Sequence, residues 1–85
     1  MNPEQIKEAV RAYILKEFLP GEDPSHLTDS LPLITGRILD SLATLKLVAF
    51  LEGTFGFEFA AHEVGAANLD TIDLVTGFVM SRQKK

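Results

Sequence analysis

The chain has 85 residues and no cysteine, so it has room for one small domain and for neither disulfides nor thiolate metal sites. Its net charge of -4 and its scattered basic residues argue against nucleic acid as a partner. The amino end lacks a basic region followed by an apolar core, and no apolar run approaches the roughly 18 residues of a membrane span. We therefore expect a single domain over residues 1–85, located in the cytoplasm and without a membrane partner.

A first helix is predicted to begin near residue 3. Asn2 suits the N-cap, Pro3 suits the first helical position, and Gln5 can reach back to the cap. Apolar residues then recur at helical spacing, and Pro20-Gly21 ends the pattern. The apolar stripe consists of Ile6, Ala9, Val10, Tyr13, Ile14 and Phe18. The charged residues expected to face water are Lys7, Glu8, Arg11 and Lys16.

Residues 20–39 are predicted to form a long ordered loop. Three prolines, two glycines and several turn-forming residues disfavour any regular element there. A loop of this length in so small a domain is usually functional, or else it contains an element that has been misassigned. Apolar side chains give it anchors that a disordered linker would lack. These anchors are Leu27, Leu31, Leu33, Ile34, Ile38 and Leu39.

A second helix is predicted from about Ser41 to Phe55, with Asp40 as its cap and Gly56 as its terminator. Steps of about 100° per residue divide it into two apolar faces. The predicted core face consists of Thr44, Leu47, Val48, Leu51 and Phe55. The opposite strip consists of Leu42, Leu45, Ala49 and Gly53, with Lys46 and Glu52 at its margins. Two interpretations of this strip are open, burial under the long loop or exposure as a docking surface. Leu42 is expected to be buried at its edge, whereas Leu45 and Ala49 are more available.

The remainder of the chain predicts one short helical turn and a final helix. The turn is placed at His62-Glu63-Val64, before Gly65. The final helix is expected to start at Asp70-Thr71-Ile72-Asp73 with Asp70 as its cap, and to fray into the polar tail at residues 82–85. Its apolar face consists of Ile72, Val75, Phe78 and Val79. The predicted fold is all-α, a small antiparallel four-helix bundle with three main helices, one short helix and a long first loop.

No residues predict catalysis or a metal site. Ser41 lacks the Gly-x-Ser-x-Gly elbow that exposes a nucleophile. His26 and His62 have no second histidine at helical spacing, so neither predicts a metal ligand. The chain is therefore expected not to be an enzyme. A hydroxyl in the first turn of a helix lies at the positive end of the helix dipole, where an added phosphate is well tolerated. Position alone leaves two interpretations of Ser41 open, a capping residue or a site of modification.

Five short motifs together resemble the acyl carrier proteins, the small carriers of fatty-acid, polyketide and nonribosomal-peptide assembly. They are Asp40-Ser41-Leu42, Leu47-Val48, Leu51-Glu52, Phe55-Gly56-Phe57 and Asn68-Leu69-Asp70-Thr71-Ile72. The resemblance covers nearly the whole chain and includes the long first loop. It implies that Ser41, flanked by Asp40 and Leu42, carries 4′-phosphopantetheine transferred from coenzyme A by a dedicated phosphopantetheinyl transferase. Such a carrier holds acyl or aminoacyl intermediates as thioesters and presents them to other enzymes without catalysing a reaction itself.

Two departures from the family pattern concern partner choice. Carriers of housekeeping fatty-acid synthesis usually place several acidic residues along the second helix, whereas this helix has Ala43, Lys46 and Gly53, with Glu52 as its only internal carboxylate. Arg37 occupies a position where glycine is common in the family, and it adds a positive charge near the phosphate. We therefore expect partners that rely more on apolar contact and less on charge. The predicted partner-binding residues are Arg37, Leu45, Lys46 and Ala49.

The expected partners are the transferase, an acyl- or aminoacyl-loading ligase, and downstream synthase or transferase enzymes. The methionine start and short tail favour a free-standing carrier. A monomer is expected. The residues around Ser41 look most like carriers that work beside adenylate-forming ligases in specialised pathways. The alternatives are a carrier of housekeeping fatty-acid synthesis and an unmodified helical interaction module. No structural metal is expected.

Overall fold

The structure is a computed structural model that describes residues 2–83, and within that range it contains helices and loops but no strand. Its four α-helices are α1 (Pro3–Phe18), α2 (Ser41–Phe55), α3 (Ala66–Leu69) and α4 (Ile72–Gln83), and 3₁₀ turns lie at Pro24–His26 and Ala61–Glu63. The all-α prediction is therefore confirmed. Arg82 is still helical, and residues 84–85 of the predicted polar tail lie outside the described range. None of the helices within residues 2–83 combines the length and apolar character that a membrane crossing needs.

The start of α1 is the capping box that the sequence predicts. The Gln5 N–H donates to Asn2 Oδ1 at 2.9 Å, and the Asn2 N–H donates to Gln5 Oε1 at 3.1 Å. These bonds satisfy two backbone donors that the helix itself cannot. The apolar stripe then buries Ile6, Val10 and Ile14 completely in the core. Local sequence therefore decides where α1 begins and which face it buries.

The loop between α1 and α2 is packed against the core, as predicted. Leu27, Leu33 and Leu39 are buried, and the other three predicted anchors are partly buried. The burial of these side chains removes apolar surface from water along the whole loop, which holds the loop against the helices. The loop therefore forms a fixed part of the domain.

Two charged side chains of α1 do not simply face water, contrary to the expectation for Lys7 and Arg11. Lys7 Nζ lies 3.2 Å from Asp29 Oδ2 and 3.3 Å from Asp73 Oδ1. Arg11 forms an ion pair with Asp29 and donates from Nε to the Leu27 carbonyl at 3.1 Å. Lys7 contacts acidic groups of the loop and of α4, whereas Arg11 contacts the loop. They therefore connect three segments that are distant in the sequence.

The boundaries and the core face of α2 agree with the prediction. Gly56 ends the helix in the left-handed region at φ 76°, and its N–H bonds the Glu52 carbonyl at 3.0 Å. The side chains buried on the core face are Thr44, Leu47, Val48 and Leu51, while Phe55 is partly buried. The second helix therefore has the rotation that its apolar spacing predicts.

The region between α2 and α4 differs in three respects from the prediction. The short turn lies at Ala61–Glu63, and the four-residue helix α3 at Ala66–Leu69 was not predicted. The expected capping of the last helix by Asp70 is wrong. Thr71 Oγ1 accepts from the Leu74 N–H at 3.0 Å and so serves the first turn of α4. The Asp70 carboxylate accepts hydrogen bonds from the first loop instead.

The predicted apolar face of α4 is mostly buried. Ile72, Val75 and Val79 are fully covered. Phe78 is partly buried and stacks on Phe59 with their ring centroids 4.7 Å apart. This stacking holds the irregular segment after α2 against the last helix.

Candidate functional site

The start of α2 is capped by Asp40 and not by Ser41. Asp40 Oδ1 accepts from the Ala43 N–H at 2.8 Å, and the Asp40 carbonyl accepts from the Thr44 N–H at 2.9 Å and from Thr44 Oγ1 at 2.8 Å. Ser41 is the first helical residue and is exposed. Of the two interpretations of Ser41, capping is therefore wrong.

The Ser41 hydroxyl makes no hydrogen bond to any residue in the described range 2–83. The backbone N–H groups of Ser41 and Leu42 likewise have no partner there. Free N–H groups at the start of a 15-residue helix favour a negatively charged group at this position. An accessible hydroxyl and two available donors thus lie together at the amino end of α2.

A cleft of about 670 Å³ opens beside Ser41. Three separate segments line it. They contribute Ile34, Arg37 and Leu39 from the first loop, Asp40, Ser41, Thr44 and Leu45 from the start of α2, and Val64 and Gly65 from the segment before α3. The lining is mainly apolar side chains, with the charged groups at residues 37 and 40. Among the predicted site residues, Arg37, Asp40, Ser41 and Leu45 are thus brought together in one cleft.

The wall of the cleft at Ile34 is fixed by Asp70. Asp70 Oδ1 accepts from the Ile34 N–H at 2.8 Å and from the Thr35 N–H at 2.9 Å, and Asp70 Oδ2 accepts from Thr35 Oγ1 at 2.8 Å. These bonds, first among them the one from the Thr35 N–H, hold the pKa of Asp70 below its ordinary value. Asp70 therefore holds a wall of the site in place, a role that its prediction as a helix cap did not include.

Arg37 has an unusual backbone conformation for a residue with a side chain. Its φ of 65° lies in the left-handed region that glycine adopts readily, and its N–H bonds the Ile34 carbonyl at 3.0 Å. The turn therefore gives a physical reason why glycine suits this position. The Arg37 side chain is exposed and forms neither a side-chain hydrogen bond nor an ion pair within residues 2–83.

The face of α2 opposite the core is exposed. We name it the α2 strip and define it, as above, by Leu42, Leu45, Ala49 and Gly53. Leu42 is 63% exposed and Leu45 is 57% exposed, and Ala49 and Gly53 are exposed as well. Burial of the strip under the loop is therefore wrong, and so is the expected burial of Leu42, because the loop packs beside Ser41 and leaves this face uncovered.

The two charged residues predicted at the margins of the α2 strip differ in their surroundings. Lys46 is exposed, and its carbonyl accepts from the Tyr13 hydroxyl at 3.1 Å. Glu52 is partly buried, and its Oε2 accepts from the Phe59 N–H at 2.8 Å. The carboxylate of Glu52 is therefore occupied by the backbone that follows α2, while the Lys46 ammonium remains available on the surface.

The two histidines lie away from the cleft. His26 contacts Glu22, with Nδ1 2.6 Å from Oε2, and this contact raises the pKa of His26. His62 is exposed in the turn before α3. Within the described residues, no group of three or more histidine, aspartate or glutamate side chains is arranged to hold a metal ion.

No known protein-family model matches this chain, and no characterised protein matches it at a significant level of sequence similarity.

Proposed function

We propose that the chain is a carrier protein that holds acyl or aminoacyl groups as thioesters on 4′-phosphopantetheine linked to Ser41. The observation that carries this proposal is the state of the Ser41 hydroxyl. The hydroxyl is exposed, and it takes no part in the helix cap because Asp40 is the capping residue. It lies beside two free N–H groups at the start of α2. A hydroxyl that makes no hydrogen bond within the described residues and lies inside an Asp-Ser-Leu motif suits covalent modification.

The residues around Ser41 fit such a group. A phosphodiester is negatively charged, and the free N–H groups of Ser41 and Leu42 offer it donors at the positive end of α2. The cleft that begins at Ser41 has apolar walls at Ile34, Leu45 and Val64. When attached, the group supplies the terminal thiol on which the carried acyl chain is held. A chain without cysteine thus acquires one working thiol from its cofactor.

The chain itself holds the Ser41 hydroxyl in a fixed position at the first turn of α2. Thr44 and Leu47 are buried directly behind the first turn of α2, and the Asp40 cap fixes that turn. In the attachment reaction, Ser41 Oγ forms a bond to the phosphorus nearer the pantetheine in coenzyme A. The pyrophosphate P–O bond breaks and 3′,5′-ADP leaves with its electrons, while a base of the transferase accepts the hydroxyl proton.

Catalysis by this chain alone is not supported by the cleft. Its charged lining groups are Arg37 and Asp40, and the Asp40 carboxylate is engaged in the helix cap. Neither histidine lines the cleft, so Ser41 has no general base beside it there. The partner enzymes of a carrier supply these groups. We accordingly propose the antiparallel four-helix arrangement of the acyl carriers for the three long helices and α3.

The proposed setting is a specialised pathway in which an adenylate-forming ligase loads the carrier. The surface of α2 supports this part of the proposal, because it offers exposed leucines and Lys46 where housekeeping carriers offer carboxylates. Tethering raises the local concentration of the carried group at each enzyme that binds the carrier.

The test is incubation with coenzyme A, magnesium and a broad-specificity phosphopantetheinyl transferase, followed by intact-mass measurement. We expect one phosphopantetheine to be added to the wild type and none to Ser41→Ala. A wild-type chain that stays unmodified with several transferases would overturn the proposal and leave the unmodified interaction module.

A further inference from the structure

The unpaired charged side chains around the α2 strip differ in sign from the net charge of the chain. The chain as a whole carries a net charge of -4, yet the charged groups available beside the strip are cations. Lys46 is exposed at one margin, and Arg37 shares the cleft with Leu45 at the other end. Within residues 2–83, neither side chain forms an ion pair. Asp40 and Glu52 keep their negative charges, so it is the unpaired charged groups beside the strip, and not the local sum, that are opposite in sign to the whole molecule.

The carboxylates nearest the strip in the sequence are engaged elsewhere. Glu52 accepts from the Phe59 N–H at 2.8 Å, and Asp40 accepts from the Ala43 N–H at 2.8 Å. A carboxylate that accepts backbone hydrogen bonds loses part of them if it turns toward another charge. The strip therefore presents two leucines more than half exposed, next to two unpaired cations.

The conformation of Arg37 supports a role for its side chain outside the domain. A residue with a Cβ at φ 65° is conformationally disfavoured relative to glycine. No contact of the guanidinium within residues 2–83 offsets this conformational cost. Arg37 and Leu45 both line the cleft beside Ser41, where a molecule docked on the strip can meet the exposed Arg37 side chain.

We propose that the α2 strip docks on a partner enzyme whose surface combines an apolar recess for Leu42 and Leu45 with carboxylates that face Arg37 and Lys46. This inference rests on the proposed function, because the partner is then an enzyme that loads or uses the carried group. Apolar contact at the centre with charge complementarity at the rim is the usual anatomy of a specific interface. The Arg37 and Lys46 cations in turn disfavour enzymes whose docking surfaces are basic.

A second copy of this chain is a poorer occupant of the strip. A symmetric dimer places the same surface of both chains face to face. Strip on strip therefore brings the Arg37 and Lys46 cations of both copies into one interface, while Glu52 and Asp40 stay engaged in their own chain. Like charges in one interface oppose association.

The surface chemistry can be tested with two helical peptides of identical leucine pattern. One peptide carries glutamate beside its leucine face and the other carries lysine at the same positions. Each is titrated into the ¹⁵N-labelled full chain without any modification, and amide shifts are followed by NMR. We expect the glutamate peptide to shift the amides of residues 42–49 and Arg37. The lysine peptide should bind this face at least about fivefold more weakly, despite the acidic net charge of the chain.

Charge variants give the decisive comparison. The double variant Arg37→Glu/Lys46→Glu should reverse the preference between the two peptides. Lys16→Glu, the same change at an exposed lysine of α1, should leave the preference unchanged. Leu45→Asp should weaken both peptides, since a charge then enters the apolar contact. Circular-dichroism melts establish that each variant is folded.

Three outcomes would overturn the inference. The lysine peptide could bind the strip as tightly as the glutamate peptide, or neither peptide could shift residues 42–49 at about 1 mM, the weak limit of specific association. The third is concentration-dependent dimerisation through the strip, seen by sedimentation and abolished by Leu45→Asp. Ser41→Ala should bind both peptides as the wild type does. The peptide titrations can therefore disprove docking on the strip without bearing on phosphopantetheine attachment, and the reverse also holds.

Discussion

Asp70 and Thr35 are joined by two hydrogen bonds across 35 residues of sequence, from the Thr35 N–H to Oδ1 at 2.9 Å and from Thr35 Oγ1 to Oδ2 at 2.8 Å. With the bond from the Ile34 N–H, they attach the first loop to the residue just after α3. Ile34 lines the cleft beside Ser41. One carboxylate therefore determines where a wall of the candidate site lies.

The Asp70 contacts predict a pH dependence of stability. They hold the pKa of Asp70 below its ordinary value, so the folded state binds this proton less readily than the unfolded state. The stabilisation is present above the ordinary aspartate range and is lost as the pH falls through the lowered pKa. Asp70→Asn should therefore be less stable than the wild type at pH about 7, and the difference should shrink toward pH about 2.

Urea titrations at both pH values measure this difference. Asp23→Asn is a useful comparison, since the pKa of Asp23 is also lowered, chiefly by the Ser25 N–H, but its contacts stay within one turn of the loop. Equal losses for Asp70→Asn at neutral and acid pH would contradict the account. So would wild-type chemical shifts for Ile34 and Thr35 in Asp70→Asn.

The rotation of α2 predicts opposite responses for two leucines. Leu51 is fully buried, so Leu51→Ala should lower the free energy of unfolding by about 2 to 5 kcal/mol. Leu45 is 57% exposed, so Leu45→Ala should change it by less than about 0.5 kcal/mol. Denaturant titration of both variants measures the contrast. Similar losses at the two positions would mean that the α2 strip is covered.

Glycine-to-alanine substitutions at Gly36 and Gly53 should act in opposite directions. A Cβ at Gly36 would collide with the Pro32 carbonyl, so Gly36→Ala should destabilise the loop by about 1 to 3 kcal/mol. A Cβ at Gly53 meets nothing within 4 Å, and alanine is a better helix former there. Gly53→Ala should therefore stabilise by about 0.5 to 1 kcal/mol. Thermal melts measure both changes, and destabilisation by Gly53→Ala would contradict the open α2 strip.

The left-handed conformation of Arg37 predicts a ranking of substitutions. Arg37→Gly should be more stable than Arg37→Ala by about 0.5 to 1 kcal/mol, because alanine keeps the Cβ that φ 65° disfavours. Neither variant loses an internal contact of the guanidinium within the described residues. A more stable Arg37→Ala, measured by denaturant titration, would show that the turn at residues 34–37 has another conformation in solution.

Features that depend on a few neighbouring residues could be predicted from the sequence. The Asn2 and Gln5 capping box, the Asp40 cap and the Gly56 terminator each act within one helical turn, so their residue types are visible in a short window. The rotation of α2 follows for the same reason, since apolar spacing alone determines which side chains can share the core.

Features that depend on distant segments could not be predicted in this way. The ion pair between Arg11 and Asp29 and the bonds between Asp70 and Thr35 join residues whose proximity arises only from the fold. The cleft likewise needs three segments to converge beside Ser41. The four residues of α3, Ala-Ala-Asn-Leu, are too few to show helical periodicity, so their helix is a consequence of packing.

The most direct test of the central claim is localisation of phosphopantetheine on the chain. After incubation with coenzyme A, magnesium and a broad-specificity transferase, proteolysis and fragment-mass analysis should place one added group on Ser41 and on no other residue. Ser30→Ala, a matched change at an exposed serine of the first loop, should be modified as fully as the wild type, and Ser41→Ala should not be modified. Modification that persists in Ser41→Ala, or a wild type that gains no mass, would contradict the carrier function.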